Sequence, residues 1–169
     1  SSSTRGICKN GSTPSYVGTI DAFEIGTLGN ALDFGDQATA SAASGGASSP
    51  TRGIFGGGYT PTTFAELSYI TISSFGNSVK FGELTTARHS PARGIISNTT
   101  RGFIAGGSPS GKVISIDIIN FSTLGNAIDF GNLNTTRAEA PSGCSSSTRG
   151  IAAGGATPSI LKSIDYFTL

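Results

Sequence analysis

One short phrase keeps returning along this chain. Thr-Arg-Gly occurs at Thr4, Thr51, Thr100 and Thr148, in steps of 47, 49 and 48 residues. Other markers keep the same register. Gly-Asn falls at Gly29-Asn30, Gly76-Asn77 and Gly125-Asn126. Phe-Gly falls at Phe34-Gly35, Phe81-Gly82 and Phe130-Gly131. Ile-Asp falls at Asp21, Asp117 and Asp165, with Ser68 in that place in the second copy. Independent markers in one register define an internal repeat, with units 4–50, 51–99, 100–147 and 148–169 inside one domain spanning 1–169. A repeat of this length constrains the fold strongly. Each unit is one supersecondary element that cannot bury its apolar face alone, so neighbours must stack.

The second unit shows its strands best. Residues 51–55 (TRGIF) run into the triple glycine at 56–58. Residues 67–73 (LSYITIS) alternate apolar and polar, as a half-buried strand does. Phe75-Gly76-Asn77 reads as a tight turn, where Gly and Asn tolerate positive φ. Residues 78–84 form the return strand, and 92–97 lead into the next Thr-Arg-Gly. Four short strands per unit of 45–50 residues predict an all-β fold of propeller-blade type. The 25 glycines and the lack of Met and Trp suit short strands and tight turns better than helices. The regular apolar strands argue against plain disorder.

The unit resembles a kelch blade. A kelch repeat carries a double glycine at the end of its second strand, and here Gly56-Gly57-Gly58, Gly106-Gly107 and Gly154-Gly155 hold that place. Its third strand carries an aromatic, for which Tyr69, Phe121, Phe23 and Tyr166-Phe167 stand as candidates. Phe34, Phe81 and Phe130 take the place of the usual fourth-strand Trp, with Arg88 and Arg137 as the basic residue that follows. The wording TRG…GG…ID…GN…DFG is also similar to kelch-like repeats of tailed-phage structural proteins, marine ones in particular. The resemblance implies a four-stranded-blade β-propeller and a virion location. Because propellers host unrelated roles, it does not fix an activity.

Call the strands of a unit A to D from the axis outward. The chain then reads BCD, ABCD, ABCD, ABC, about 3.5 repeats. The first copy is worn: Lys9-Asn10 replace two glycines, and Ser41 stands where Arg88 and Arg137 stand. Such an arc leaves open edges that invite pairing, so a homo-oligomer is expected, with a two-fold dimer completing the ring as its simplest form.

Charge is sparse and balanced, 11 Lys+Arg against 10 Asp+Glu, which gives no pull toward nucleic acid or an anionic membrane. No apolar run reaches the length of a membrane span. Cys8 and Cys144 make no disulfide framework and read as two small buried thiols. His89 is the only histidine, so neither a His-built metal site nor a catalytic triad is supported, and no cofactor or metal is called for. The aspartates Asp21, Asp117 and Asp165 are spread one per unit, too dispersed for a carboxylate pair, and read as structural acceptors. The arginines Arg5, Arg52, Arg101 and Arg149 read as bridges to an adjacent unit, with an anion-binding ring as the alternative.

Comparison among units separates constant from variable stretches. The B–C loops (10–16, 59–64, 109–112, 157–160) and the D–A stretches (37–43, 85–93, 134–141) differ freely and emerge on one face of such a blade. That face gathers Tyr16, Tyr59, Arg88, His89, Arg93, Lys112, Arg137 and Glu139 as candidate binding residues. Loops on a rigid scaffold are where recognition usually lives. The expected function is therefore a non-enzymatic structural or binding module: a phage virion appendage or host-recognition propeller. Its partners would be other virion proteins and a host-surface glycan or protein. A propeller lectin stacking sugar on Tyr16 and Tyr59, or a kelch-type protein scaffold using Arg88 and Arg137, are the alternatives.

Overall fold

A computed structural model describes residues 2–91, 96–108, 113–138 and 141–169. Every regular element in it is a strand, and all pairing is antiparallel. Sheet 1 holds β1 (Arg5–Ser12), β2 (Tyr16–Glu24) and β3 (Leu32–Asp36). Sheet 2 holds β4 (Gly45–Ser48), β5 (Arg52–Thr60), β6 (Thr62–Thr71) and β7 (Val79–Glu83) in that order. Sheet 3 holds β8 (Arg101–Ala105), β9 (Ser115–Asn120) and β10 (Ile128–Asn132). Beyond them come β11 (Ser142–Ser145), β12 (Arg149–Ala153), β13 (Ala156–Thr157), β14 (Ser159–Ile160) and β15 (Ile164–Thr168). Sheet 4 is β11-β12-β15, and β13-β14 is a small separate hairpin. No helix is long and apolar enough to cross a membrane among the described residues.

Strands pair in chain order, but a sheet takes its inner strand from the end of the preceding unit: β4 of unit 1 joins β5, β6 and β7 of unit 2, and β11 of unit 3 joins β12 and β15 of unit 4. The expected inner strand of sheet 3 (92–97) falls mostly outside the described residues; the bridge Ser97↔Gly102 and a hydrogen bond from the Phe103 amide to the Ile96 carbonyl mark its end. The B–C connections of units 1 and 2 differ from the expected loops. They are arms of long hairpins: Thr60 pairs with Thr62 and Ser12 with Tyr16.

The Phe-Gly marker is a β-bulge. Ile20 pairs with Gly35 while Asp21 pairs with Asp33, leaving Phe34 unpaired. Phe81 and Phe130 are skipped in the same way. A bulge re-aims the extra side chain. Phe34 and Phe81 are thereby buried between sheets, each burial contributing about 1.5–3 kcal/mol.

Three apolar layers lie between successive sheets. Ile20, Ala22 and Phe34 of sheet 1 meet Ile70 and Phe55 of sheet 2. Ala47, Ile54, Leu67 and Phe81 of sheet 2 meet Ile104 and Ile119 of sheet 3, with Phe121 just beyond β9. Phe103 and Ile116 of sheet 3, with Ile96 just ahead of it, meet Ala152 and Phe167 of sheet 4. Successive side chains of a strand point to opposite faces, so Leu67 and Tyr69 meet sheet 3 while Ile70 meets sheet 1; sheet 2 thus has two apolar faces, where the alternation of residues 67–73 predicted one.

The cysteines correct an expectation. Both are free, and both are exposed rather than buried. Cys8 occupies the register position of Phe55, Ile104 and Ala152, which face the preceding sheet. Cys144 occupies that of Ala47 and Ile96, which face the following sheet. Among the described residues nothing packs on those two faces, so both thiols meet solvent.

Candidate binding face and the junctions behind it

Three of the candidate binding residues come together. Tyr16 opens β2, Tyr59 lies near the end of β5, and His89 follows β7 by six residues. The rings of Tyr16 and Tyr59 meet edge to face at 6.0 Å, and those of Tyr59 and His89 at 5.7 Å. Backbone fixes this placement. Tyr59 exchanges hydrogen bonds with Ala42 (2.9 and 3.1 Å), and His89 with Ser108 (2.9 and 3.0 Å). His89 Nδ1 also lies 3.2 Å from Ser90 Oγ. Tyr59 remains 39% exposed while Tyr16 and His89 are half-buried, so the cluster is partly open to solvent. Such rings can stack on an apolar ligand face while hydroxyl and imidazole hydrogen-bond to its rim. Arg93, Lys112 and Glu139 lie outside the described residues.

Arg88 and Arg137 are not on this face, which corrects the expectation for both. Each is fully buried. Arg88 Nη2 lies 3.0 Å from Asp117 Oδ1, with both side chains completely enclosed. Arg88 also donates to the carbonyls of Gly106 and Ser115, at 3.2 Å each. Asp117 accepts from the amide and hydroxyl of Thr85 at 2.8 and 2.7 Å. Burial pulls the Arg88 pKa below its ordinary value, and the Asp117 charge opposes that shift. Arg137 repeats the arrangement with Asp165 (3.2 Å), Gly154 and Ser163. A buried charge must be paired and hydrogen-bonded, and each aspartate does this for the arginine of the unit before it. Sequence reading took the arginines as exposed because a basic residue in a variable stretch usually is. A signal for the pairing was present. The unit-1/unit-2 junction lacks both partners together, with Ser41 in place of the arginine and Ser68 in place of the aspartate.

In that junction Lys9 supplies a cation from the other side. Its Nζ bonds to Gln37 Oε1 and Ser44 Oγ and lies 5.0 Å from the Phe55 ring centre. Gln37 passes the contact on to Ser68 Oγ at 3.3 Å. Burial lowers the Lys9 pKa to about 7.

Two further markers are each other's partners. The amide of Gly76 donates to the Phe34 carbonyl (2.8 Å), and Asn77 Oδ1 accepts from the Asp36 amide (2.9 Å). One unit later Gly125 donates to the Phe81 carbonyl (3.0 Å), and Asn126 Oδ1 accepts from the Glu83 amide (3.1 Å). A β-carbon at Gly35 or Gly82 would collide with the backbone of the docked Gly-Asn turn, which is why glycine stands there. Arg5 likewise donates to the Ile72 carbonyl and Arg52 to the Phe121 carbonyl, one unit ahead, so these two act as bridges.

The inner turns converge. Ser2 and Ser3, Ser48 and Ser49, Ser97 and Asn98, and Ser146 and Ser147, two residues from the turn ahead of each Thr-Arg-Gly, line one cavity of about 480 Å³. Ser97 Oγ donates to the Ser48 carbonyl at 2.8 Å, and Ser145 Oγ to the Ser97 carbonyl at 2.7 Å. No group of three or more His, Cys, Asp or Glu side chains is placed to hold a metal ion among the described residues. No protein-family model matches the chain, and no curated protein shows significant similarity to it.

Proposed function

We infer that the chain is a non-enzymatic binding module, an arc of a kelch-like β-propeller serving on a virion appendage of tailed-phage type. Its recognition surface is the Tyr16–Tyr59–His89 cluster, and its ligand is a host-surface glycan. The propeller reading is supported by sheets that pair in chain order and by four inner turns around one cavity. The virion assignment rests on the resemblance of the repeat wording.

The single observation that carries the binding role is the aromatic cluster. Residues from three variable stretches in two units meet there with their rings in contact. The buried charges, by contrast, are consumed at junctions. Two tyrosines and a histidine suit a sugar, whose C–H face stacks while its hydroxyls hydrogen-bond. The scaffold alternative, an acidic peptide read by Arg88 and Arg137, loses its residues, because both are enclosed.

The test is binding of the purified chain to an array of bacterial surface glycans. Binding that falls roughly tenfold in Tyr59→Ala, as loss of about 1.4 kcal/mol predicts, supports the assignment. No glycan binding, or binding indifferent to Tyr16→Ala and Tyr59→Ala, overturns it.

A further inference from the structure

The three internal junctions use one set of positions. On the side facing the next sheet stand Ile54, Leu67 and Tyr69 in sheet 2, and Phe103, Ile116 and Ile118 in sheet 3. On the side facing the previous sheet stand Ile104 and Ile119 in sheet 3, with Phe121 after it, and Ala152 and Phe167 in sheet 4, with Leu169 after it. The same positions at the two ends have no neighbour. In sheet 4 they are Ile151, Ile164 and Tyr166, of which Ile164 is 66% and Tyr166 68% exposed. At sheet 1 they are Cys8, Phe23 and Ile25, of which Phe23 is 43% and Ile25 53% exposed. These are not two unrelated apolar patches. They are the apolar faces of the paired strands that already meet three times inside the chain, although sheet 4 has, among the described residues, no outer strand to supply the bulged phenylalanine of the inner junctions.

We propose that the exposed face of sheet 4 stacks against the exposed face of sheet 1 of a second copy. The occupant follows from position-by-position equivalence. Ile164 takes the role of Leu67 and Ile116, which are almost fully enclosed where a following sheet covers them. Phe23 takes the role of Ile119 and Phe167, which pack against the preceding sheet. Gly6 is the counterpart of Gly102 and Gly150, the glycines against which Ala47 and Ile96 pack; the Phe23 ring lies over Gly6, so Cys144 of the partner copy would take that place beside the ring. Alternate side chains of a strand share a face, so Ile164 and Tyr166 present together, as do Asp21 and Phe23. The contact joins two different surfaces, and two copies related by a two-fold axis make it twice and close.

A contact between unlike surfaces has a distinctive signature. Ile164→Asp disables one half of it and Phe23→Asp the other, and both sites are exposed enough to leave the fold intact, which circular dichroism checks. Light scattering at micromolar concentration should give the mass of two chains for the unmodified protein and of one chain for each variant. An equimolar mixture of the two variants should regain a two-chain species, because Ile164→Asp keeps a good sheet 1 and Phe23→Asp a good sheet 4. A short bis-maleimide should then link Cys144 of one copy to Cys8 of the other. A one-chain mass for the unmodified protein overturns the proposal. So does a two-chain mass indifferent to both substitutions, or a mixture of the variants that stays at one chain.

Discussion

Replacing Asp117 by Ala tests how the units are held together. Asp117 lies in β9 with no exposed surface and accepts from the Thr85 amide, the Thr85 hydroxyl and Arg88. Its removal strands the Arg88 guanidinium, equally enclosed, with neutral oxygens of Thr85, Thr86, Gly106 and Ser115 as its partners. Breaking one side of a buried pair costs about 3–5 kcal/mol, a large share of the roughly 5–15 kcal/mol that holds a typical domain. Arg88→Met should cost a similar amount, because it leaves the carboxylate uncompensated. The double variant Arg88→Met/Asp117→Leu removes both charges and fills much of their volume. It should be more stable than the two single costs predict by at least about 2 kcal/mol. Urea unfolding followed by circular dichroism measures all four corners of the cycle. Single costs that add to within about 0.5 kcal/mol would refute the claim that the two side chains act as one buried unit.

Gly82→Ala pushes a methyl into the backbone of the docked Gly125-Asn126 turn and should cost about 2 kcal/mol or more, whereas Asn126→Ala, which removes one acceptor from the Glu83 amide, should cost about 1 kcal/mol; thermal unfolding ranks the two. Lys9 has a folded pKa near 7, below its unfolded value, so between pH 7 and about 10.4 the unfolded chain binds more protons and stability rises with pH. Lys9→Met should flatten that rise and raise stability below pH 7, as urea midpoints at pH 6 and 9 will report; an unchanged slope counts against burial of the amine. Cys8 and Cys144 should both react with a thiol reagent in the folded protein, and slow reaction released only by denaturant would contradict their exposure.

The strand plan was legible because it follows from local rules: alternation in residues 67–73, a Gly-Asn turn, and one register for several markers. The partnership of those markers was harder to see. Phe81-Gly82 and Gly125-Asn126 are more than forty residues apart, and only the docking of one turn on the neighbouring bulge explains why both recur. Arg88 and Arg137 misled for a physical reason. Exposure is the default for arginine, and only a carboxylate from the next unit makes enclosure affordable. The joint loss at Ser41 and Ser68 carried that information within the single sequence. Cys8 and Cys144, read as buried thiols, do stand at positions that are buried in inner units, but the end sheets lack the neighbour that would cover them. Tyr16, Tyr59 and His89 could be assigned to one face from strand order, but their contact depends on the long hairpin arms, which the loop reading missed.

The most direct test of one junction used repeatedly is a crystal structure of the chain. Arg88 should be found enclosed against Asp117 and Arg137 against Asp165, with the two junctions superimposing and the turns ahead of the four Thr-Arg-Gly phrases around one cavity. Either arginine extended into solvent on the face of Tyr16 and Tyr59, or sheets stacked in an order other than that of the chain, would contradict it.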